Sequence, residues 1–145
     1  MALDRSFVER NRAQTERIRK LVAGLSDADF NRRLGEHWNV AVTLAHLAFW
    51  DSRVLWVLDA SEREGKVTAP TIATEVNDMM LPLLYAIPAH EAARLAIEMA
   101  EKLDARLESY PPDLLEQIAG FNLRYVMRAL HRSEHLDEVD QALMA

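Results

Sequence analysis

His131 and His135 stand four residues apart in the segment Ala129-Leu130-His131-Arg132-Ser133-Glu134-His135-Leu136, and a third histidine, His46, lies in an apolar run far upstream. On a helix, positions i and i+4 share a face with Cβ atoms about 5–6 Å apart, so both imidazoles can turn toward one ion at roughly 2.0–2.1 Å. His46, supplied by a second helix, would complete a three-nitrogen site for a divalent metal. Three neutral imidazoles leave such an ion doubly positive with at least one open position, the arrangement of catalytic rather than closed structural sites. Water bound there would have its pKa lowered toward about 7, and a thiol would be held as thiolate. The chain has no cysteine, so any sulfur would arrive on a cosubstrate.

Each histidine also has an ordinary reading. His46, between Leu44-Ala45 and Leu47-Ala48, reads equally as a hydrogen-bonded core residue, and His131 with His135 as a solvated pair on the outside of a helix. Leu130, Leu136 and Val139 alternate with the pair in a way that can turn it inward. His37 and His90 border loops or helix starts and are not expected to be ligands.

The catalytic candidates beside the metal ligands are Asp51, Glu134 and Arg128. Asp51 and Glu134 could orient a histidine N–H or act as a general base, although Asp51, five residues beyond His46, lies about 140° around the helix from it. Arg128 and Arg124 precede His131 by three and seven positions, which suits either a carboxylate clamp on the histidine face or plain surface charge. The string His131-Arg132-Ser133-Glu134-His135 matches the H-x-x-E-H pattern of inverzincin proteases, but only ten residues follow it, too few for the distant third ligand. The commoner H-E-x-x-H pattern fails at Arg132.

The elements that must position these residues are helical throughout, so the chain reads as an all-α fold. A first helix spans residues 3–23 with Phe7, Ile18, Leu21, Val22 and Leu25 on one face and Gly24 as C-cap. Ser26-Asp27-Ala28-Asp29 reads as a capped short turn of helix. Asn39 caps a second long helix carrying His46, which runs to about residue 60 and is closed by Glu64-Gly65. The connection over residues 66–88 is long, with Pro70, Pro82 and Pro88 limiting it to short helical pieces around 72–80 and 83–86. Its Asn77, Met79 and Met80 could cover the site, although methionine at such positions more often serves ordinary packing. A third helix follows over 89–109, with Leu95, Met99, Leu103 and Leu107 as its buried stripe, and Pro111-Pro112 stops it. Asp113-Leu114-Leu115-Glu116 resembles a capping box opening a last helix over 113–142, bent near Gly120.

Composition bounds the rest. A chain of 145 residues predicts a single domain that buries about 70% of its unfolded surface, so a metal would be a functional addition rather than a staple. A net charge of −6 with interspersed signs speaks against nucleic acid as partner. The first residues lack a signal peptide's basic start and apolar stretch, and no run of eighteen apolar residues occurs, so a cytoplasmic protein without a membrane segment is expected.

The Leu25-Ser26-Asp27-Ala28-Asp29-Phe30 turn, the Trp38-Asn39 start of a helix bearing His46-Leu47-Ala48-Phe49-Trp50-Asp51, and the terminal His131-Arg132-Ser133-Glu134-His135-Leu136-Asp137-Glu138-Val139 together resemble the DinB-like superfamily of metalloenzymes over nearly the whole chain. The resemblance implies a four-helix bundle with a long connection between its second and third helices, often homodimeric. It implies zinc, nickel or a similar ion on His46, His131 and His135. It implies an enzyme of thiol-dependent transferase or isomerase type, using a small thiol such as mycothiol or bacillithiol, or a hydrolase, acting on a small-molecule substrate. Relatives with glutamate in place of the first histidine of the pair differ from this chain by one charge. A noncatalytic metal-binding or dimerisation bundle is the competing reading.

Overall fold

The computed structural model describes residues 3–145. Local signals set most element boundaries. Helix α1 (Phe7–Ala23) begins four residues later than the periodicity suggests, because the Asp4 carboxylate accepts from the Ser6 backbone N–H at 3.0 Å and ties the chain into a turn. A reciprocal capping box between Ser26 and Asp29 fixes the short helix α2 (Asp27–Phe30). A two-stranded antiparallel hairpin follows, β1 (Arg33–Leu34) against β2 (Trp38–Asn39), turning at Gly35 with φ 65°. This hairpin was not expected from the sequence. It leads into helix α3 (Val40–Glu64), whose N-cap Asn39 accepts from the Val42 N–H at 2.8 Å and whose end is closed by Gly65 at φ 70°.

The connection after α3 carries two short helices, α4 (Val76–Met79) and α5 (Leu81–Ala86), before helix α6 (Ala89–Ser109). Helix α7 (Pro112–Phe121) starts directly on Pro112, with Asp113 inside its first turn, so the expected capping box is not the device that opens it. A 3₁₀ turn (Leu123–Tyr125) and helix α8 (Ala129–Met144) complete the chain.

The expected single helix over 113–142 is therefore two helices, and the break falls beyond Gly120. Asn122 adopts an extended backbone (φ −157°, ψ 107°) and its side chain accepts from the Arg124 N–H. Asn11 of α1 holds the other side: its amide donates to the Val126 carbonyl at 2.8 Å and accepts from the Ala129 N–H at 2.8 Å. A single buried side chain thus satisfies backbone groups that an interrupted helix leaves orphaned.

Helix α3 lies against α6 and α8, and α1 lies against α6 and α8. The buried face of α6 is set by Ala92, Ala93, Ala96 and Ala100, followed by Leu103 and Leu107. Leu95 and Met99, expected in the stripe, are only half-buried, beside Met80 and Leu84. The physical reason is that alanines let helix axes approach more closely than leucine and methionine would. Helix α3 is apolar and long enough to cross a membrane by length and composition, but 67% of its apolar window is buried inside the protein, as in a core helix.

Candidate metal centre

His46 projects from α3 and His131 and His135 from one face of α8. Ring centroids lie 5.3 Å apart for His46 and His131, 4.6 Å for His46 and His135, and 4.8 Å for His131 and His135. One nitrogen from each ring falls within 4.8 Å of the other two. The Trp38 indole, delivered by the β hairpin, stacks on His135 at 5.9 Å and tilts against His46 at 4.6 Å. His37 and His90 take no part: both are exposed, and His90 pairs with Asp27.

Electrostatics keep the three rings neutral. Burial, reinforced by the neighbouring His135 and Arg128, pushes His46 down to about 3. Burial, with Arg128 and the other two histidines adding to it, pushes His131 down to about 2. Burial also lowers His135, opposed by Glu138 and Glu134. Neutral imidazole is the form that ligates metal. His135 Nδ1 is moreover buried without a hydrogen-bond partner, 3.6 Å from Glu138 Oε1, which is what a site completed by a ligand leaves open. The donor set of three imidazole nitrogens fits a divalent transition-metal ion.

The catalytic candidates separate. Arg128 is buried, and each of its guanidinium nitrogens has a partner: Nε donates to Asp51 Oδ1 at 2.9 Å, Nη1 to the Arg124 carbonyl at 3.0 Å, and Nη2 meets His131 Nδ1 at 3.1 Å. A guanidinium only donates, so without an ion Nδ1 accepts and the neutral His131 ring carries its proton on Nε2; to ligate, His131 must free one nitrogen, by giving up either the Arg128 contact at Nδ1 or the proton at Nε2. Among the described residues Asp51 makes its hydrogen bonds to arginines and to no histidine. Its two oxygens are taken by Arg128 and Arg132, so it supports His131 only through Arg128. Glu134, largely exposed, is gripped by Arg124, which holds its carboxyl below the usual range.

The histidines open on a cavity of about 520 Å³ whose other walls include Trp50, Thr74, Asn77, Asn122, Arg124 and Tyr125. Of the three connection residues expected to cover the site, Asn77 does, its Oδ1 accepting from Trp50 Nε1 at 2.9 Å. Met79 is exposed and Met80 packs in the apolar cluster of Val42, Ala45 and Leu84.

Sequence reasoning missed the cluster directly behind the histidines. Arg132 is fully buried and bonds to Asp51 on α3, to Asp104 on α6 at 2.8 Å, and to Thr15 Oγ1 and the Asn11 carbonyl on α1. Thr15 in turn donates to Asp104 Oδ2 at 2.5 Å. The signal in the sequence was that Asp51 and Asp104 sit on the buried faces of their helices.

Comparison with known proteins adds one finding: the family model described as the DinB superfamily matches residues 10–136, a span holding all three histidines. No curated protein and no solved structure matches the chain.

Proposed function

The chain belongs to the DinB superfamily, and from that premise we propose that it is a metal-dependent enzyme of thiol-dependent transferase or isomerase type, or a hydrolase, with His46, His131 and His135 as the ligands of zinc or nickel. The observation that carries the proposal is the meeting of three neutral imidazoles within 4.8 Å at the floor of a 520 Å³ cavity. A closed structural site would be walled off, whereas this one opens on space for a small molecule.

The ion, when bound, would supply an open coordination position that acidifies a water or a thiol. This chain's own residues do the rest. Trp38 stacks on His135 and holds its plane, Arg128 orients the His131 ring until an ion takes one of its nitrogens, and Trp50 with Asn77 closes the cavity from the connection side. With no cysteine, a thiol nucleophile would be a cosubstrate. We further read the long helices α1, α3, α6 and α8 as a DinB-like four-helix bundle that assembles as a homodimer in the cytoplasm. Sedimentation equilibrium at micromolar concentration tests the dimer, and a clean monomer removes it.

The functional test compares metal-loaded and metal-free protein over a panel of thiol-conjugation and hydrolysis substrates. Turnover confined to the loaded protein, lost in His131→Ala, supports an enzyme. Stoichiometric metal binding without turnover across the panel leaves the noncatalytic metal-binding bundle as the reading.

A further inference from the structure

We propose that the cavity above the histidines takes a small organic carboxylate, and that Arg124 is the residue that grips it by exchanging Glu134 for the ligand. This rests on the functional reading above and deepens it by naming the substrate class. The chain carries 23 acidic and 17 basic residues, yet among the described residues no aspartate or glutamate lines this cavity, while Arg124 and Arg128 do and their carboxylate partners Glu134 and Asp51 do not. An electropositive pocket in an acidic protein selects an anion.

The two arginines are built differently. Arg128 is buried, and each of its three guanidinium nitrogens is bonded, to Asp51, the Arg124 carbonyl and His131, so it acts as a fixed charge. Arg124 has a pinned backbone, its carbonyl held by Arg128 and its N–H by the Asn122 side chain, but a free-standing arm. That arm grips the Glu134 carboxylate with two parallel bonds of 3.0 and 2.9 Å. Glu134 lies outside the cavity, and the pair is 42% and 56% exposed, so water screens it and little opposes its exchange. The fork geometry already matches a planar two-oxygen anion.

Asn77 adds a second donor. The Trp50 indole can only donate, so it fixes the Asn77 oxygen toward itself and leaves the amide NH₂ as the group available to a ligand. Trp38, Trp50 and Tyr125 supply aromatic wall for an apolar body between the carboxylate and the histidines.

The test titrates metal-free protein with 3-phenylpropionate, its neutral amide and inorganic phosphate, read by calorimetry. The acid should bind saturably, and the amide at least about 10-fold more weakly, the usual loss when a charged hydrogen-bond pair is removed. Arg124→Gln should cost the acid a similar factor. Glu134→Gln should tighten it several-fold by removing the internal competitor, and the double variant should behave as Arg124→Gln alone. Both side chains are largely exposed, so the fold survives either change. Equal binding of acid and amide, indifference to Arg124→Gln, or an Arg124-dependent preference for phosphate would overturn the proposal. Because no metal is present, Arg124-dependent binding by a protein that fails to take up metal would leave this inference standing and remove the enzymatic reading. Metal-dependent turnover without carboxylate binding would do the reverse.

Discussion

Two polar clusters lie side by side, one buried among α1, α3, α6 and α8 and the other part-buried between α3 and α8, and they meet the cost of burial in opposite ways. In the first, Asp51 and Asp104 face Arg128 and Arg132, two charges of each sign, with Thr15 and the Asn11 carbonyl taking further donors. In the second, His46, His131 and His135 lose their charge instead, and among the described residues no carboxylate lines their cavity. The same helices build both, since Asp51 follows His46 by five positions and Arg132 follows His131 by one, so adjacent faces of one helix pair carry different chemistry. A cluster that closes on itself belongs to the fold. A cluster left neutral and open is completed only by something from outside the chain.

That contrast can be broken by mutation. Asp51→Asn removes one charge from the closed cluster and leaves a buried guanidinium unmatched, for which a loss of about 3–5 kcal/mol in chemical denaturation is expected. His46→Ala removes a neutral ring beside an existing cavity and should cost the fold far less. Equal losses in the two variants would erase the distinction between the clusters. Asn11→Ala comes next: it leaves the Val126 carbonyl and Ala129 N–H without their buried partner, at about 1–3 kcal/mol for each unsatisfied group. Hydrogen exchange should then rise at residues 122–129 before it rises in α3.

Acid should act on the open cluster through its neutral rings. His46 and His131 titrate near 3 and 2 in the folded protein but near 6.5 when unfolded, so the unfolded state binds more protons between these values. Stability of the metal-free protein is therefore whole above about pH 6.5 and declines as pH falls toward 3, at up to roughly 1.4 kcal/mol per unit for each histidine. Denaturation midpoints measured from pH 7 to 4.5 should show this slope, reduced in His46→Ala and in His131→Ala. That window lies above the range in which carboxylates such as Glu91, Glu98 and Glu134, held low by their arginine or lysine partners, contribute to acid sensitivity.

What could be read from the sequence was what local chemistry decides. Ser26 and Asn39 cap the helices that follow them, Gly65 closes α3, and α6 occupies residues 89–109 as its flanking prolines require. The histidine trio was legible because two members share a helical face and the third sits in a motif of known company. The break between α7 and α8 was not legible, since the side chain that stabilises it, Asn11, is 115 residues from Val126 in the chain. Arg132 read as the residue that spoils a protease motif, because its partners on α1, α3 and α6 converge only in three dimensions. The alanine face of α6 was passed over for the leucines beside it because hydrophobicity ranks side chains by size, whereas close helix approach rewards the small ones.

The central claim is that the open cluster is a metal site, and equilibrium dialysis against zinc and nickel with elemental analysis tests it most directly. Wild-type protein should take up one ion per chain, while His46→Ala, His131→Ala and His135→Ala each lower affinity by more than the roughly 10–100-fold that loss of an outer-shell partner costs. Their circular dichroism should stay helical, since the closed cluster behind them is untouched. Undiminished stoichiometric binding in all three variants, or no binding by the wild type, would contradict the account.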